Sequence, residues 1–142
     1  MSGQVRKEIQ QNKPMSHAME ALLNVQRTAT VMREAVERVT GLRHVEYNVL
    51  RILRGAGPDG LPLEEIRSRL LADDPMLLGY IGALAGRGLI GPEVKRRTIT
   101  AEGLRVLADL DTRVERMVEE RIGRLTSAET RTLIELLEKL RG

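Results

Sequence analysis

Glu46-Tyr47-Asn48-Val49-Leu50-Arg51-Ile52-Leu53-Arg54-Gly55-Ala56-Gly57-Pro58-Asp59-Gly60-Leu61-Pro62 is the stretch on which the reading of the whole chain turns. Val45, Val49, Ile52 and Leu53 stand at i, i+4, i+7 and i+8, which puts them on one face of a helix from about Arg43 to Arg54. The glycine-rich run Gly55 to Gly60 is a turn segment. Pro62 suits the first turn of a further short helix, on which Leu63, Ile66 and Leu70 face one way. Two short helices with one apolar face each cannot close a core alone, so the flanking sequence must supply the rest.

On the C-terminal side, Asp73-Asp74-Pro75 places an acidic cap before a Pro at N1 and opens a fourth helix to about Arg87. Gly86 and Gly88 end it, and Leu77, Ile81 and Leu84 share its inward face. Leu89 to Thr100 is too short and too rich in β-formers for a helix. Val94, Thr98 and Ile99 favour strand and Gly91-Pro92 breaks it, so a tight two-stranded ribbon is expected. Further out, Ser16 caps a long helix that Gly41 stops near Thr40, and Thr100 caps another to about Arg124. Thr126-Ser127-Ala128-Glu129 matches a capping box for a last helix to Leu140.

The order of elements describes a mainly α fold: a winged helix-turn-helix module at 42–100, with long terminal helices at 15–41 and 101–142. Together they make one domain, 15–142, after a polar, flexible N-terminal tail at 1–14. A helix of about 24 residues runs roughly 36 Å, longer than so small a module needs. Its surplus apolar positions predict dimerisation helices and an isologous homodimer. A monomeric six-helix bundle fits less well, because the ribbon interrupts bundle packing.

Composition narrows the function. The chain has 142 residues, enough for a real core, with no Cys, Trp or Phe and two Tyr. The lack of cysteine excludes disulfides and thiolate metal sites, and two tyrosines leave little for stacking on single-stranded bases. His17 and His44 are the only imidazoles, and neither has metal-ligand spacing, so no metal and no cofactor are expected. No nucleophile–base constellation and no phosphate loop is visible, which argues against an enzyme. No apolar run reaches the roughly 18 residues of a membrane span and the N-terminus lacks a secretory leader, so a cytoplasmic protein without a membrane partner is expected. The net charge is +3. Residues 1–56 carry nine Lys/Arg against five Asp/Glu, and 57–100 carry six of each. A phosphate-binding face should be locally basic, yet the middle third is neutral.

From Ala18 to Leu140 the chain resembles the MarR (multiple antibiotic resistance regulator) family of winged-helix repressors. The resemblance is carried by the 46–62 block, Glu65-Ile66, Gly86-Arg87-Gly88-Leu89-Ile90 before the wing, and Ile99-Thr100-Ala101-Glu102-Gly103 after it. It implies a homodimer with interlocking terminal helices, two winged modules reading a palindromic duplex, and a small-molecule crevice between dimer and winged regions. By that analogy His44 and Tyr47 are candidates to line the effector crevice.

The DNA-facing parts depart from the family pattern. Aligned on Pro75, the family's Thr-Arg pair falls on Leu78-Gly79 and an acidic–Arg pair falls on Gly82-Ala83. No residue from Pro75 to Gly86 is charged, and the acidic–Arg signature of the wing is missing. Two readings follow. In one, Arg67, Arg69, Arg87, Lys95, Arg96 and Arg97 bind duplex DNA, mainly at phosphates, with weak sequence preference. In the other, operator binding is lost, and Gly79, Gly82, Ala83 and Gly86 lie against a partner protein, or the crevice simply holds a ligand.

Overall fold

The computed structural model describes residues 16–142; the expected tail at 1–14 lies outside the described residues. Six helices follow in order: α1 (His17–Thr40), α2 (His44–Ala56), α3 (Leu63–Arg69), α4 (Leu77–Gly86), α5 (Ala101–Ile122) and α6 (Ser127–Arg141). The long helices begin as their caps dictate. The Ser16 hydroxyl accepts from Met19 N at 3.2 Å and Thr100 Oγ1 from Gly103 N at 2.9 Å. Thr126 and Glu129 close a reciprocal capping box at 3.1 and 2.8 Å. Gly41 ends α1 in the left-handed conformation, φ 70°.

Three starts differ in detail from the sequence expectation. Arg43, a poor cap, leaves the first amides of α2 to two carboxylates: Glu46 accepts from Arg43 N at 2.9 Å and Glu37 of α1 from His44 N at 3.0 Å. Pro62 sits at the N-cap of α3 rather than inside it. α4 opens at Leu77, two residues after Pro75, because Asp74 makes a tight turn first. Its carboxylate accepts from Met76 N at 2.8 Å and its carbonyl from Leu77 N at 3.1 Å.

The core is one cluster. Val49, Leu50 and Leu53 of α2, Ile66 of α3, Leu77, Ile81 and Leu84 of α4, and Leu107 and Leu110 of α5 are buried together with Leu61, Leu89 and Ile90. The apolar periodicity of α2 and α4 therefore points inward as the sequence implies.

The two-stranded ribbon needs correction. Among the described residues there are only single-residue antiparallel bridges, Leu61 to Arg97 and Ile90 to Ile99. Residues 89–100 still form a hairpin: Gly91 N donates to Thr98 O at 2.8 Å and Thr100 N to Leu89 O at 3.1 Å. The Gly91 carbonyl then accepts from the Arg97 side chain rather than from a backbone amide, and the ladder goes no further. Leu61 and Arg97 exchange both backbone bonds at 2.9 Å, which ties the hairpin to the segment before α3. That close approach explains Gly60: its φ is 67°, and a Cβ there would stand 2.1 Å from the Arg97 carbonyl oxygen.

The terminal helices remain largely uncovered. α6 buries none of its residues, and Leu133, Ile134, Leu136 and Leu140 are exposed, Leu140 to 71%. Met19, Leu22 and Val25 on the first half of α1 are exposed as well.

Candidate functional site

Two surfaces gather the residues singled out by the sequence. The first is the outer side of α4. Leu77, Ile81 and Leu84 are at most 2% exposed, so the helix turns Leu78, Gly79, Gly82, Ala83 and Gly86 to solvent. A Cβ added at Gly79, Gly82 or Gly86 would meet nothing within 4 Å, so packing within this chain does not call for glycine there. The face offers no side-chain hydrogen-bond donor to a base edge. Leu78 on this face is 63% exposed, and Met76 just before it, Leu71 (88%) and Val94 (73%) are further exposed apolar residues of the module. Tyr80 is half-buried, its hydroxyl beside the Arg43 guanidinium, and does not belong to the outer face.

Of the six basic candidates, four already have partners within the chain. Arg67 Nη1 donates to Asp73 Oδ1 at 2.9 Å, and Arg69 pairs with Glu65 at 3.5 Å. Arg96 Nε donates to the Asp59 carbonyl at 2.7 Å and Arg97 Nη1 to the Gly91 carbonyl at 3.0 Å. The last two brace the hairpin against the α2–α3 turn and against itself, a role with no sequence signal because each partner is a backbone carbonyl. Arg87 and Lys95 are exposed and make no ion pair or side-chain hydrogen bond among the described residues.

The second surface is a crevice of about 500 Å³ between α2 and α5, lined by Tyr47, Arg51, Arg54, Asp111, Val114, Glu115, Val118 and Glu119. Tyr47 is 7% exposed, and its hydroxyl donates to Asp111 Oδ1 at 2.5 Å. Arg54 Nη1 pairs with the other carboxylate oxygen of Asp111. The Arg51 guanidinium carbon lies 5.8 Å from the centre of the Tyr47 ring, within cation–π range. Burial, and then the bond to the Asp111 carboxylate, push the Tyr47 phenol up to about 12. Burial alone would raise Asp111, but the Tyr47 hydroxyl and Arg54 outweigh it and hold the carboxyl below its ordinary range.

His44 is not in this crevice. It sits at the start of α2 with Nδ1 3.4 Å from Glu37 Oε2, and helps to hold the Glu37 carboxyl down against the opposing effect of burial. His44 and Tyr47 thus meet different carboxylates, Glu37 of α1 and Asp111 of α5. Arg51, Arg54 and Asp111 were missed. Tyr47, Arg51 and Arg54 repeat at i, i+4 and i+7, a legible stripe, but their meeting with Asp111 spans 57 to 64 residues. Among the described residues no group of three or more His, Cys, Asp or Glu is placed to hold a metal ion, and no helix is long and apolar enough to cross a membrane.

Three short helices and a hairpin between long flanking helices define a winged helix-turn-helix fold. No family sequence model and no curated protein sequence matches the chain. Solved structures do. A MarR transcription factor from Planctomyces limnophilus is 32% identical, with 89% of this chain and 98% of that one covered, at a TM-score of 0.66. A MarR family protein of Mycobacterium tuberculosis, solved with DNA, is 23% identical over 84% of this chain and 96% of that one, TM-score 0.68. A Bordetella bronchiseptica protein whose DNA binding is regulated by 6-hydroxynicotinic acid is 19% identical over 89% and 98%, TM-score 0.75. On the likeness to the Planctomyces protein, the chain belongs to the MarR family of transcriptional regulators.

Proposed function

We propose that the protein is a cytoplasmic homodimeric transcription regulator that meets duplex DNA chiefly at phosphates. The observation that carries this reading is α4: an outer face without a hydrogen-bond donor, with Arg87 at its C-terminal end and Lys95 on the following hairpin both exposed and without an internal ion pair among the described residues. Phosphate contacts set register and orientation but specify no base. Arg67, Arg69, Arg96 and Arg97 add to them only by loosening the internal bonds they now make. The Mycobacterium relative in its DNA complex supports the duplex as the partner. Homodimerisation is supported by α6, whose exposed leucines, with those of α1, need a second copy to cover them. In this arrangement 15–41 and 101–142 join the two copies, 42–100 is the DNA module, and the Tyr47 crevice takes a small-molecule effector, as its size allows.

The test is binding to a mixed-sequence duplex over a range of salt. Affinity is expected to fall steeply and linearly on a log–log plot and to change little with sequence. Absence of binding at low salt, or tight binding that persists at high salt and collapses on single base changes, overturns the reading. A second reading is favoured by the exposed apolar residues Leu71, Met76, Leu78 and Val94. It places Gly79, Gly82, Ala83 and Gly86 against a partner protein, and Gly82→Arg would then abolish that association while sparing the dimer.

A further inference from the structure

The clamp on Asp111 is built to set an angle. The packing of α2 on α5 through Val49, Leu50, Leu53, Leu107 and Leu110 is apolar and carries little directional preference. Hydrogen bonds do carry direction. Tyr47 and Arg54 are seven residues apart, about two turns or ~10 Å along α2, and both end on the single carboxylate of Asp111 in the middle of α5. Two directional bonds two turns apart, converging on one side chain, oppose both rotation and sliding of α2 along the long helix. α2 in turn shares its buried face with α3 and α4, so the setting of α2 is the setting of the winged module. The crevice opens directly on this clamp: Tyr47, Arg51, Arg54, Asp111, Glu115 and Glu119 are its polar lining, with Val114 and Val118 as apolar wall.

We propose that Asp111 is a positioning residue whose twin bonds to Tyr47 and Arg54 hold the winged module at one angle to the long terminal helices. The inference rests on the duplex-binding reading above, and its test separates the two. Because the chain has no cysteine, Ser68→Cys on α3 and Arg116→Cys on α5 give a spin-labelled pair across the joint. Diluting labelled chains with unlabelled ones keeps the measured distance within one chain. In the otherwise unaltered protein this distance is expected to be single and narrow. Asp111→Ala and Tyr47→Phe are expected to shift or broaden it, with Asp111→Asn, which still accepts from Tyr47, falling between. In the same variants without labels, affinity for a mixed-sequence duplex at low salt is expected to change about tenfold while thermal melting stays cooperative. Folded variants with an unchanged distance distribution overturn the proposal. Should Asp111→Ala fail to fold, Tyr47→Phe, which keeps the ring in the core, decides alone. Should the unaltered protein fail to bind duplex, the DNA reading falls, while the distance measurement still decides the clamp.

Discussion

α2 and α4 belong to the same small module and bury comparable apolar faces, yet their other faces could hardly differ more. α2 turns Tyr47, Arg51 and Arg54 into a polar crevice and bonds two of them to α5. α4 turns Leu78, Gly79, Gly82, Ala83 and Gly86 to solvent and bonds none of them to anything in the chain. The difference teaches that the joint between the module and the long helix α5 is specified by directional chemistry, whereas α4 is specified only on its hidden side. A helix with three glycines costs roughly 1 kcal/mol per glycine against alanine. The buried Leu77, Ile81 and Leu84 are what hold it in place.

The largest effect should come from that hidden side. Ile81→Ala is expected to lower stability by about 3 kcal/mol, read as a drop in denaturant midpoint, since it removes a side chain 2% exposed from a filled core. A loss under ~1 kcal/mol would mean that α4 is held less firmly than its burial implies.

The next effect belongs to α2. Tyr47→Phe is expected to cost about 1–2 kcal/mol at neutral pH by leaving one side of Asp111 without its donor. Its pH signature sharpens the contrast. A phenol raised from 10.0 to about 12 stabilises the fold fully below pH 10 and loses that contribution as pH rises through 12. Asp111, held below its ordinary 3.8, contributes above that pH and loses its contribution as pH falls through the lower native value. Unfolding measured across pH should therefore show an alkaline fall that Tyr47→Phe reduces and an acid fall that Asp111→Asn reduces. Curves parallel to those of the unaltered protein would mean that the clamp is not formed in solution.

The smallest effect is a gain. Gly82→Ala is expected to raise stability by about 1 kcal/mol, because a methyl there meets nothing within 4 Å and the backbone is already helical. A loss instead would show that the outer face of α4 is covered in the isolated dimer.

Much of this was legible beforehand. The caps Ser16, Thr100 and Thr126, the stop at Gly41 and the inward stripes of α2 and α4 follow from local hydrogen-bonding capacity and 3.6-residue periodicity. The ribbon was legible as a hairpin, while its pairing stops at single-residue bridges, the Gly91 carbonyl being taken by the Arg97 side chain. The surroundings of the candidate site residues were less legible. Tyr47 lies in the crevice and His44 does not. Arg96 and Arg97 read as a basic tip, while their guanidiniums reach backbone carbonyls of Asp59 and Gly91 that carry no side-chain identity to detect.

The sequence by itself determined which six segments are helical, to within about two residues at their ends, which face of α2 and α4 is apolar, and that α4 bears no charge, because capping and periodicity act within a few residues along the chain. Only the tertiary structure decided that Asp111 receives Tyr47 and Arg54, that Glu37 and Glu46 cap α2 in place of Arg43, and that four of six basic candidates are already engaged. Those partners lie three to 64 residues away, and hydrogen bonds form between whatever groups packing brings within about 3 Å.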